Sequence, residues 1–146
     1  MSKRKMAIRI LSVMMTVFVL IAALTACSGG IPREEAQATT IALFDALSEG
    51  DYEEAASLFH PDTFTNAQNL SDYCAGLLKD YGIDVSKGMT IDKYTGFGSA
   101  FYDSNVGGSR YELTMKVIVG DKTCSFTTEI VKTDTGYGLT NLHYNP

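Results

Sequence analysis

A two-layer α+β domain, with helices first and an antiparallel β-meander after them, is predicted by a change of period along the chain. Between residues 34 and 81 the apolar side chains recur every three or four positions, whereas from Met89 onward they recur every second one. Glycines punctuate both halves: Gly50 and Gly82 stand where helical stripes end, and Gly120-Asp121 stands between two alternating runs. Helices that precede a meander in this way cover one face of its curved sheet.

The first helix is expected over residues 34–48. Pro32 suits its first turn, where a missing N–H costs nothing, and Glu34 and Glu35 suit the positive end of the helix dipole. Ala38, Ile41, Ala42, Phe44 and Leu47 supply its apolar spacing, and Gly50 stops it. Asp51 followed three residues later by Glu54 reads as a capping box that opens a short second helix. That helix carries Tyr52, Ala55 and Ala56, with Leu58 or Phe59 beyond, and ends before Pro61. Residues 62–69 read as a loop. Leu70, Tyr73, Cys74, Leu77, Leu78 and Tyr81 then form the cleanest helical stripe in the chain, closed by Gly82.

A first strand is expected over residues 90–102, bent near Gly96 and Gly98. Asp103 to Gly108 superficially resembles a calcium-binding loop, but Gly107 stands at the fifth position and Thr114 where a bidentate Glu is needed, so it reads as a turn. Tyr111, Leu113, Met115, Val117 and Val119 alternate with polar residues in a half-buried second strand. In the third, Cys124, Phe126, Thr128 and Ile130 share the inner face, and Thr123, Ser125, Thr127 and Glu129 point outward. A turn over residues 133–136 leads to a last strand over residues 137–144.

Ahead of this domain lies a segment of different character. Lys3, Arg4, Lys5 and Arg9 are followed by 15 uncharged, mostly apolar residues, 10–24. A helix needs roughly 20 apolar residues to cross a bilayer, so this stretch has the length of a signal-peptide core instead. Leu24-Thr25-Ala26-Cys27 resembles the lipobox of bacterial lipoproteins. The resemblance implies cleavage after Ala26, lipid on Cys27, and an extracytoplasmic domain anchored to the cell membrane. Residues 1–26 are then the signal peptide, residues 27–33 the lipidated Cys and a short tether, and residues 34–146 the domain. Extended, the six residues after Cys27 reach only about 20 Å, which keeps the domain beside the membrane.

Cleavage would leave a 120-residue chain with eight of the twelve basic residues and all seventeen acidic ones, a net charge of −9. Such a surface excludes nucleic acid as a partner and gives no attraction to anionic headgroups. The partners to expect are the membrane through the lipid, and a small ligand or an envelope protein. The sheet face offers a second copy of the chain a place to pair.

The run from Ile41 to Phe59, with its Gly50-Asp51-Tyr52 break and Ala-rich second helix ending in Leu58-Phe59, resembles the opening helices of the nuclear transport factor 2-like (cystatin-like) superfamily. The resemblance implies helices packed on a curved sheet around a cone. It leaves activity open, because that superfamily hosts enzymes, binding proteins and assembly modules. Its isomerases and dehydratases place Asp, Tyr or His groups in the cone, and the candidates here are Tyr52, His60 and Tyr73, with His143 more peripheral. The apolar strand faces themselves carry no Asp, Glu or His. No catalytic residue, metal site or cofactor is therefore assigned. A non-catalytic binding domain is the leading expectation, with a small hydrolase, isomerase or dehydratase, or an envelope spacer, as alternatives. Cys74 and Cys124 both lie on faces aimed at the core. A disulfide between them, closing a loop worth about 4 kcal/mol in chain entropy, and two buried free thiols both fit that placement.

Overall fold

A computed structural model describes residues 30–146. The signal-like segment and Cys27 lie outside the described residues. Among the described residues three α-helices precede one four-stranded antiparallel sheet: α1 is Arg33–Glu49, α2 is Tyr52–Ser57 and α3 is Ala67–Tyr81. Strands β1 (Met89–Asp103), β2 (Gly108–Val119), β3 (Lys122–Thr133) and β4 (Gly136–Asn145) follow in meander order. The α+β class read from the change of period is the one observed.

The helix ends follow their capping chemistry. Gly50 and Gly82 adopt left-handed conformations, φ 72° and 66°, and close α1 and α3. Asp51 accepts the Glu54 backbone N–H at 3.1 Å and opens α2. Pro32 stands one position earlier than expected, as the extended residue ahead of α1 rather than inside its first turn. Ile31 before it is buried, so the packed domain begins earlier than residue 34. Helix α3 starts at Ala67, three residues ahead of its apolar stripe. Asn66 and Asn69 exchange side-chain-to-backbone hydrogen bonds there at 2.9 and 3.2 Å, a capping box built from two amides.

The buried face of α1 differs from the one its sequence suggests. Ala36, Thr40, Leu43, Phe44, Ala46 and Leu47 point inward, while Ala38, Ile41 and Ala42 are exposed. This helix is apolar over much of its circumference, and the face that carries Leu43, Phe44 and Leu47 together is the one that turns inward, at the cost of leaving Ile41 outside. Thr40 joins them because its hydroxyl is satisfied twice, by the Ala36 carbonyl at 3.0 Å and by the Thr128 hydroxyl at 2.9 Å. In α3 the stripe is only partly buried: Leu70, Cys74 and Leu77 are inside, whereas Leu78 and Tyr81 are about half exposed.

Strands β2 and β3 make the centre of the sheet and alternate as expected. Leu113, Met115 and Val117 on β2 and Phe126, Thr128 and Ile130 on β3 are fully buried against the helices. The opposite face is polar and pairs within itself. Thr114 meets Thr127 at 3.1 Å, Asn145 donates to Thr127 at 3.0 Å, and Glu129 takes Arg110 at 3.1 Å and Thr140 at 2.8 Å. Both edges carry protection. Edge strand β1 breaks its pairing register three times, between Ile91 and Lys93, Tyr94 and Gly96, and Ala100 and Asp103. Edge strand β4 is partly covered by a parallel bridge from Phe59 to Leu139.

Candidate functional site

The space between helices and sheet, where the resemblance places a cone, is filled by side chains. Leu43, Phe44 and Leu47 from α1 and Leu113, Met115, Phe126, Ile130 and Leu139 from the sheet are all 0–1% exposed. Their one polar point is the Thr40–Thr128 hydroxyl pair, which is not ionisable.

The sequence-selected candidates divide into two places. Tyr52 on α2 and Tyr73 and Cys74 on α3 come together, and the Tyr52 hydroxyl lies beside the Ser71 hydroxyl and the Cys74 thiol. Burial raises all three pKa values above their ordinary ones, the thiol's to about 11, with Tyr52 pulling slightly the other way on that thiol. The phenols and the thiol are therefore protonated at neutral pH, fit to donate hydrogen bonds and unfit to accept a proton or attack a carbon. The Tyr73 hydroxyl is buried beside the Tyr144 backbone.

His60 is elsewhere. It is 3% exposed and sits against the β3–β4 turn, not in the cone and not on the last carbonyls of α2. Its Nδ1 accepts the Asp62 backbone N–H at 3.2 Å, which leaves Nε2 to donate to the Thr133 hydroxyl at 2.9 Å. Thr133 continues to Thr135 at 2.9 Å, and Thr135 donates to the Asp62 carboxylate at 2.7 Å. The ring closes on itself, and both nitrogens are committed to holding the loop after α2. His143 is exposed on the outer face of β4, across from Thr127.

Cys74 and Cys124 are both free and buried. Burial also raises the Cys124 thiol, against a smaller opposing pull from Lys122 and Lys116. Alkylation without reductant is expected to leave both untouched while the chain is folded and to label both after unfolding. A mass showing neither labelled after unfolding would mean that they are bridged. Among the described residues no group of three His, Cys, Asp or Glu side chains is placed to hold a metal ion. No helix among them is long and apolar enough to cross a membrane.

What the surface does offer is a pair of clefts on either side of the loop before α3. One, of about 200 Å³, lies between α3 and the β4 edge and is lined by Phe59, Thr65, Asn69, Leu70, Tyr73 and Leu142, with Thr140 and Asn141 at its rim. The other, of about 530 Å³, runs between α2 and the start of α3 past Glu53, Ala56, Ser57, Asn66, Ala67 and Gln68. Thr65 is common to both. Next to it stands Phe64, 87% exposed and held at φ 55°, the sole non-glycine residue of positive φ among the described residues. Bulky side chains avoid that conformation, at about 1–2 kcal/mol. Sequence reasoning passed over Phe64 as part of a loop. The signal it carries is an aromatic residue amid Pro61, Asp62, Thr63, Thr65 and Asn66, where turn residues would serve better.

The described residues form a small two-layer α+β domain with clefts beside the loop before α3. No family model matches the chain, and comparison with curated proteins and with solved structures gives no match either.

Proposed function

We propose that this chain is an extracytoplasmic lipoprotein, anchored through lipid on Cys27, whose nuclear transport factor 2-like domain is non-catalytic and binds a protein partner of the cell envelope. The single observation that carries the binding role is Phe64. The fold bears two costs at this residue, a left-handed backbone and an aromatic ring left in water, and neither is repaid by packing within the domain. A partner that buries the ring between the two clefts would repay both, as aromatic anchors do at the centre of interfaces.

Two further features support a binding role over the enzymatic alternative. The interior is packed with apolar groups, and the ionisable candidates near it, Tyr52, Tyr73 and Cys74, are all shifted away from neutrality. A general base needs the opposite shift. The anchoring part of the proposal rests on the basic, apolar and Leu24-Thr25-Ala26-Cys27 sequence alone.

Phe64→Asn is the test. Asn tolerates the left-handed region, so the variant is expected to be more stable by about 1 kcal/mol in denaturant unfolding. Crosslinking in the native envelope is expected to lose the partner band that the unchanged chain gives. A variant that is stabilised yet crosslinks unchanged would remove Phe64 from the binding role. Loss of membrane association in Cys27→Ala, together with an acylated N-terminal mass for the unchanged chain, tests the anchor.

A further inference from the structure

Apart from Phe64, the largest exposed apolar side chains cluster on the far half of β1: Phe97, Phe101 and Tyr102 are 63%, 71% and 68% exposed. They lie at the opposite sheet edge from the Phe59–Leu139 bridge, because β1 and β4 are the two edge strands. Phe97 pairs across the ladder with Leu113, on the helix-side face, and Arg33 at the start of α1 stacks its guanidinium 4.8 Å from the Phe97 ring centre. Phe101 meets the chain where it enters the domain, since a Cβ placed on Gly30 would lie 3.7 Å from its Cδ2. Ile31, the next residue, is buried and fixes this entry point.

The position of the patch relative to Cys27 follows from chain length. Cys27 is three residues before Gly30, so its backbone is at most about 10 Å from the residue that lies beside Phe101. The tether of six residues read from the sequence is thus shortened to Ser28 and Gly29 by the packing of Gly30 and Ile31. A domain held this closely to acyl chains presents the bilayer with whatever surface surrounds its entry point. That surface includes the Phe97 and Phe101 rings, with the Arg33 guanidinium beside Phe97, a composition that favours the headgroup–acyl boundary.

We propose that Phe97 and Phe101 form a membrane-docking patch that inserts into the lipid interface beside the anchor and fixes the domain's orientation, leaving Phe64 at the far edge facing away from the bilayer. This rests on the lipoprotein reading above. The net charge of −9 after cleavage makes attraction to anionic lipid an inadequate cause, so docking is driven by the aromatic groups and is insensitive to anionic lipid content. Arg33 contributes a single cation at the rim, suited to one lipid phosphate.

The chain has no tryptophan, so one introduced Trp is a unique reporter. Phe101→Trp and, as a control at the far edge, Phe64→Trp would each be made in the full chain, processed in a bacterial host and reconstituted into phosphatidylcholine vesicles carrying brominated acyl chains. The expected result is a blue-shifted emission at position 101 that loses most of its intensity to the brominated lipid, with position 64 little quenched. Replacing a third of the lipid by phosphatidylglycerol should leave this contrast unchanged. Equal, weak quenching at both positions in a chain whose N-terminal mass shows acylated Cys27 would overturn the patch and leave the anchor standing. An unmodified Cys27 would overturn both. A blue shift that grows with protein density and is not quenched by lipid would put a second copy of the chain on β1, and would equally overturn the docking role.

Discussion

Phe126→Ala is expected to lower the unfolding free energy by about 3–5 kcal/mol, the loss typical of a fully buried aromatic ring. Phe126 is 0% exposed on central strand β3, opposite Met115 on β2 and Tyr144 on β4. Its ring meets Phe44 of α1 edge-on at 5.8 Å and Tyr144 at 5.5 Å, so it joins the helical layer to two strands at once. Removing it leaves a hole whose walls, Phe44, Met115 and Tyr144 among them, belong to elements already paired on other sides and unable to close in. Urea titration should show a lower midpoint with an unchanged slope.

The same variant bears on function. An apolar hole of this kind stays dry and takes up small apolar molecules, so benzene should restore part of the lost stability to Phe126→Ala and add none to the unchanged chain. If the loss is under 1 kcal/mol, or if benzene stabilises the unchanged chain as well, the interior already contains space for a ligand. The enzymatic alternative, which needs an open cone, would then regain its footing.

How much of this was legible in the sequence depended on whether local chemistry or tertiary contact decides each feature. Helix ends at Gly50 and Gly82 and the alternation of β2 and β3 are local: a left-handed glycine stops a helix wherever it is, and inward residues of a half-buried strand must be apolar. The rotation of α1 is not local. Thr40 looks polar in sequence and becomes an interior residue because Thr128, 88 positions away, offers its hydroxyl a partner. The early start of α3 escaped because its cap uses Asn69 where the familiar signature has Glu or Gln. His60 followed from neither level, since what fixes it is a turn between two strands that sequence places 73 residues downstream. For the site, the sequence pointed to ionisable groups, while Phe64 and the β1 aromatics are visible only once exposure is known. An aromatic residue in a sequence is read as core by default.

Gly138→Ala is expected to cost about 3 kcal/mol although the change adds one methyl group. No left-handed backbone requires glycine here; the space does. A Cβ at this position would lie 2.5 Å from the His60 nitrogen and 2.6 Å from the Phe59 carbonyl carbon, both backbone atoms that cannot rotate away. The segment after α2 lies directly on β4 at this point, with His60 N–H donating to the Leu139 carbonyl at 2.8 Å and Leu139 N–H donating to the Leu58 carbonyl at 2.9 Å. To admit the methyl the segment must lift, which strains the core by about 1–3 kcal/mol and weakens two hydrogen bonds worth about 1 kcal/mol each. The Thr133 contact of His60 goes with them, and the wall that Phe59 gives to the smaller cleft shifts. Thermal unfolding should show the loss, and amide exchange should localise it to the Leu139 N–H. Gly76→Ala in α3 is the matched control, because its added methyl meets nothing within 4 Å, and the helix should gain up to about 1 kcal/mol. If Gly138→Ala is destabilised while the Leu139 amide keeps its protection, the bridge has moved as one piece with β4, and the strain is relieved elsewhere in the loop that carries Phe64.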